Sequence, residues 1–131
     1  AAERFIALRK ALIRALHQAG AGVLLGSDAP QVFNVPGFSI HEELAAMVAA
    51  GLSPYEALRS GTALPAVYFD AANRFGTIAI GRDADLILVE GNPLKDLDVL
   101  RRPVGVMARG VWLSRAELDR RLEAIRARHR D

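Results

Sequence analysis

Apolar residues recur at helical spacing near the start of the chain: Phe5, Leu8, Leu12 and Leu16, widened by Ile6 and Ile13. This predicts a helix over residues 3–19 with Gly20 as its stop. The pattern then changes. Val23 to Gly26 is a short, continuously apolar run, which predicts a strand buried on both faces of a parallel sheet. Ser27-Asp28 stands at its carboxyl end, and Ala29-Pro30 ends the extended run.

Helical spacing returns at Ser39, where Glu42 three residues on predicts a capping box. Ile40, Leu44, Met47 and Val48 form the stripe of that helix, and Gly51 ends it. Ser53-Pro54-Tyr55-Glu56 is a second start signal, with proline at the first helical position; its helix ends near Ser60-Gly61. Another helix is predicted from Thr62 to about Ala72.

From Gly76 to Leu113 the periodicity is no longer helical. Strands are predicted at Thr77–Ile80, Asp85–Val89, Val104–Ala108 and Val111–Leu113, the last two joined by a tight hairpin at Arg109-Gly110. Such a unit is too small to bury both its faces, so it needs partner strands. Ser114 with Glu117 opens a final helix with Leu118, Leu122 and Ile125 as its buried stripe, fraying beyond Ala127.

Composition narrows the class. With 131 residues, 51% of them hydrophobic, the chain is the size of one ordinary domain. No apolar run approaches the roughly 18 residues of a membrane span, and no signal-peptide core is present. Cysteine is absent, which excludes disulfides and thiolate chemistry and fits a cytoplasmic protein. The net charge is +2, with arginine far outnumbering lysine. The run from Arg115 to Arg130 carries six arginines, but Glu117, Asp119, Glu123 and Asp131 are interspersed. That predicts a solvated, ion-paired face rather than a nucleic-acid surface.

Chemistry in parallel α/β folds collects beyond the carboxyl ends of the strands, which is where Asp28 falls. A carboxylate held there by a turn can bind a metal or take a proton; it can equally serve as a turn residue bonding nearby backbone amides. The loop over residues 29–38 is more apolar than a connector requires, so Phe33 and Phe38 either serve a functional loop or pack it down. His41 lies in the first turn of the following helix, close in sequence to the Asp28 loop, where the dipole favours a neutral imidazole; it is either a substrate contact or an ordinary surface residue. His17, in the last turn of the first helix, reads as structural.

Several segments, in order, resemble the C-terminal portion of the metal-dependent amidohydrolase superfamily, in the branch of imidazolonepropionase-like and Xaa-Pro-dipeptidase-like enzymes. They are Gly26-Ser27-Asp28, His41-Glu42-Glu43-Leu44, Gly51-Leu52-Ser53-Pro54, Gly61-Thr62 through Pro65-Ala66, Phe75-Gly76-Thr77-Ile78, Gly81 through Leu86, and Gly91-Asn92-Pro93-Leu94. Leu64 departs from the family, which often has Asn before that proline. The resemblance covers about residues 20–113 and implies an α/β fold. Residues 1–73 would be the C-terminal part of a (β/α)8 TIM-type barrel, 74–113 part of a flanking β-sandwich, and 114–131 a C-terminal helix.

The resemblance further implies that Asp28 is both metal ligand and general base, taking a proton from metal-activated water that attacks a carbon–nitrogen bond. His41 would contact a small amide or dipeptide-like substrate. The cofactor implied is one or two divalent ions, zinc foremost. The family's His-x-His pair, bridging Lys or Glu and two further histidines are not in the sequence, so this chain alone is expected to hold no metal and to be inactive. It corresponds to about the last third of such an enzyme, with the rest of the barrel in the same or another chain. The competing reading is a non-catalytic α/β association module. Either way homo-oligomers are expected, with no nucleic acid or membrane partner.

Overall fold

Leu44, Met47, Leu52, Ala57 and Leu100 are buried against one another and form the core. The computed structural model describes residues 2–129. Its elements are α1 (Ala2–Gln18), α2 (Ser39–Ala50), α3 (Pro54–Ser60), α4 (Ala63–Tyr68), β1 (Leu86–Leu88), a 3₁₀ turn (Leu97–Arg101), β2 (Gly105–Ala108), β3 (Val111–Ser114) and α5 (Arg115–Arg128). The core is thus α2 and α3, closed from the other side by Leu100 on the 3₁₀ turn, an element the periodicity did not reveal.

Local signals predict the helix ends well. Ser53 accepts from the Glu56 N–H, and Glu56 accepts from the Ser53 N–H at 2.7 Å, which completes the capping box with Pro54 at the first position. Gly51 caps α2 in the left-handed conformation, its N–H reaching the Met47 and Val48 carbonyls. Ser114 caps α5 by accepting from the Glu117 N–H, but Glu117 turns its carboxylate to Arg120 and Arg121. The predicted box at Ser39 does not form. Ser39 is already helical, and its hydroxyl accepts from the Val35 N–H at 2.8 Å; Glu42 pairs with Arg101 instead, at 2.9 Å.

Three strands form an antiparallel sheet in the order β1-β2-β3. Leu86 pairs with Met107 across β1 and β2, and Ala108 with Val111 across β2 and β3. Arg109 and Gly110 both have positive φ, 51° and 78°, as the predicted two-residue hairpin requires. The Asp85 carboxylate fixes this turn by accepting from the Arg109 N–H at 2.6 Å.

Two predicted strands are absent. Residues 23–26 have no regular structure; the Leu25 N–H donates to the Ser60 carbonyl at 3.0 Å, and no parallel pairing exists among the described residues. Residues 77–80 are likewise unpaired, with Ile78 and Ile80 pointing into solvent. The physical reason is shared: an apolar run becomes a strand only where a neighbour completes its hydrogen bonds.

The apolar stripe of α1 is largely exposed, and the stripe predicted to be buried on α5 is only half-buried at Leu118. Phe5, Leu8, Leu12 and Leu16 are between 44% and 67% exposed, and on α5 Leu122 and Ile125 are exposed too. The helix α1 docks through the edge of its stripe and the residues beside it: Ile13 meets the core, Arg14 donates to the Ala50 carbonyl at 2.9 Å, and His17 bonds Glu56 at 3.0 Å. His17 is therefore a structural contact, as read. The ion-paired face of α5 also forms, through Arg115–Asp119, Arg121–Glu117 and Arg126–Glu123. Arg130 and Asp131, at the end of that run, lie outside the described residues. Among those residues no helix is long and apolar enough to cross a membrane.

The Glu56 carboxylate predicts an acid sensitivity. Bonds from the Ser53 backbone N–H, then its hydroxyl, then His17, push its pKa down to about 2. A depressed carboxylate contributes stability above its unfolded value of 4.5, and loses it as pH falls from there towards 2. Thermal midpoints measured at pH 6, 4 and 3 should fall more steeply in the native chain than in Glu56→Gln. Parallel slopes would show that this cap and the α1–α3 contact do not carry acid stability.

Candidate functional site

Asp28 leaves the irregular segment in the left-handed region, at φ 53°, and the Ala29-Pro30 peptide is cis. Aspartate is among the few non-glycine residues enriched in that region. The carboxylate is exposed, and the Gln31 side-chain amide donates to its Oδ2. Asn34 donates from its own side chain to the Ser27 carbonyl at 3.0 Å. Phe33 stands at the tip of this loop with φ 68° and 97% exposure, so it does not pack the loop down. Phe38, at the far end, is also exposed but lines a cavity.

That cavity, about 820 Å³ in volume, opens between α2, the 3₁₀ turn, the sheet and α5. Its wall is largely apolar, with Leu44, Leu100, Val106 and Leu118 contributing, and His41, Arg101 and Arg115 are its main polar groups. His41 Nδ1 and Arg115 Nε are both shielded from solvent with no hydrogen-bond partner. Burial pushes the His41 pKa down, and the nearby Arg101 guanidinium pushes it further, so the neutral imidazole is favoured. The neutral form was expected from the helix dipole; desolvation is the larger cause. Asp28 is not among the residues that line this cavity.

Among the described residues no three His, Asp or Glu side chains converge on one point. A catalytic metal needs about three protein ligands. Asp28 offers one carboxylate, so these residues do not by themselves fit a divalent ion. Gln31, Asn34 and Arg101 were not singled out in the sequence. The only signal for the first two is the presence of side-chain amides in a loop that follows an acid at a predicted strand end.

The amidohydrolase family profile matches residues 3–113, most of the chain. The chain belongs to the amidohydrolase family. Among solved structures, a Bifidobacterium longum protein assigned as a prolidase is 35% identical, with a TM-score of 0.72, over 86% of this chain and 29% of its own. A Xaa-Pro dipeptidase with bound methionine is 28% identical, also at 0.72, over 80% of this chain and 25% of its own. A molinate hydrolase is 25% identical at 0.66, over 81% and 26% respectively. No curated protein matches the sequence. This amidohydrolase chain therefore spans between 25% and 29% of the length of these structures. Two of the three bear prolidase or Xaa-Pro dipeptidase names, the branch to which the motifs pointed.

Proposed function

We propose that the chain supplies the Asp28 proton acceptor, and His41 as a substrate contact, to a hydrolase that cleaves carbon–nitrogen bonds in small amide substrates, Xaa-Pro dipeptides foremost. Asp28 takes a proton from the attacking water as the new C–O bond forms, and passes it to the nitrogen as the tetrahedral adduct collapses and the C–N bond breaks. A neutral His41 suits a hydrogen-bonding contact to an uncharged amide better than an imidazolium would. The remaining donors for a divalent ion, zinc foremost, come in this reading from polypeptide beyond these residues, and the chain alone is inactive.

The observation that carries the reading is the 35% identity with the prolidase-assigned protein over 86% of the chain. The surfaces support it as well. The apolar stripe of α1 and the 23–26 segment, which has no strand partner here, are what the last part of a (β/α)8 barrel, residues 1–73, would present to the preceding strands. The open edges of the β1–β3 sheet, within residues 74–113, are what half a sandwich would present.

The test is complementation. The chain is co-expressed with the preceding three-quarters of the Bifidobacterium longum protein, and hydrolysis of Xaa-Pro dipeptides is measured with added divalent metal. Turnover is expected only when both pieces are present. A complex verified by native mass spectrometry but inert towards dipeptides and cyclic amides would overturn the reading and favour the association module.

A further inference from the structure

The loop over residues 27–34 is closed on itself at three points. Asn34 reaches back to the Ser27 carbonyl. Gln31 and Asn34 exchange both backbone hydrogen bonds, at 3.3 and 2.9 Å, with Val32 and Phe33 forming the turn between them. The Gln31 side chain then donates to Asp28 Oδ2. These bonds all stay within eight consecutive residues, so the loop holds its shape without an element packed over it.

The closure is maintained against a local cost. Phe33, a bulky residue, is held at φ 68°, a backbone conformation such residues avoid. Strain of this kind persists where the surroundings over-determine it, and it clusters at functional positions. Phe33 gains no burial in return, being almost wholly exposed.

We infer that Gln31 is a positioning residue for Asp28: its amide engages Oδ2 and holds the carboxylate in one orientation, with Oδ1 outside that bond. This rests on the proposed role of Asp28 as proton acceptor and deepens it. The chemistry of the donor matters. A lysine at this place would restrain the carboxylate but offset its charge, and a glutamate would repel it. A neutral amide restrains it while leaving the negative charge in place.

The experiment has two readouts. In the full chain, NMR should show the Gln31 side-chain amide shifted from the position of a solvent-exposed glutamine, and Asp28→Ala should abolish that shift. The backbone resonances of α3 serve as the control for folding. Asn34→Ala, which removes the bond to the Ser27 carbonyl and leaves the Gln31–Asn34 backbone bonds in place, should weaken the same signature. In the complemented enzyme, Gln31→Ala should lower kcat by about 10–100-fold with KM changed by less than about twofold, the scale of effect that a misplacement of ~1 Å has. Gln31→Glu should be at least as impaired.

An unshifted Gln31 amide that ignores Asp28→Ala in the folded chain overturns the inference. So does a normal kcat in Gln31→Ala when Asp28→Asn is inactive, and in that case the proposed function stands. An active Asp28→Asn enzyme instead overturns the proposed function, and the NMR contact is then the measure of whether Gln31 orients the carboxylate.

Discussion

Turnover in the complemented enzyme is expected to fall by about 10²–10⁴-fold on replacing Asp28 with Asn, the range that a positioned general base contributes. The substitution is chosen because it changes so little else. Asparagine tolerates the left-handed backbone of residue 28 as readily as aspartate does. Its carbonyl can still accept from Gln31, so the loop keeps its closure. The side chain is exposed, and surface substitutions of this kind usually alter stability by less than about 0.5 kcal/mol. What disappears is the charge and the ability to accept a proton. Kinetics on a Xaa-Pro dipeptide beside a thermal melt therefore separate chemistry from folding. Undiminished turnover in a variant with a native melting profile would remove Asp28 from the reaction.

A large effect on stability is expected at Gly76. Its φ is +90°, which L side chains rarely adopt, and a Cβ there would lie 2.7 Å from the Thr62 carbonyl oxygen and 2.8 Å from the Ala66 Cβ. Neither neighbour is the loose end of a flexible side chain: one is backbone at the start of α4, the other a buried methyl on that helix. Left-handed strain of about 1–2 kcal/mol and overpacking of about 1–3 kcal/mol give Gly76→Ala a cost of about 2–5 kcal/mol. Gly51→Ala is the comparison. Its φ of +112° carries the same left-handed strain and its Cβ would meet the Arg14 guanidinium at 2.5 Å, but that flexible end can move at the cost of its bond to the Ala50 carbonyl. Denaturant unfolding should rank native above Gly51→Ala above Gly76→Ala. Equal midpoints for the two variants would mean that the 75–77 turn is not pressed against α4 as described.

The sequence by itself determined what is local. The capping box of Ser53 and Glu56, the glycine stop at Gly51, the Ser114 cap and the Arg109-Gly110 hairpin each depend on residues within about four positions of one another. Their chemistry can therefore be read from spacing alone. The ordered motifs from Gly26 to Leu94 likewise pointed to the family. Tertiary structure decided what depends on a distant partner. The runs at 23–26 and 77–80 have the composition of strands, yet form none here, because backbone ladder bonds need a second segment that composition does not specify. The same holds for burial: the stripes of α1 and α5 are amphipathic in sequence, but whether a stripe is covered depends on what packs against it. Leu100 entered the core, and Arg101 came to Glu42 and His41, across nearly sixty residues of chain. Gln31 met Asp28 only three residues away, in a loop whose next turn holds Phe33 in a left-handed conformation that runs against propensity. Propensity registers what a residue prefers, whereas the closed loop imposes what the other bonds demand.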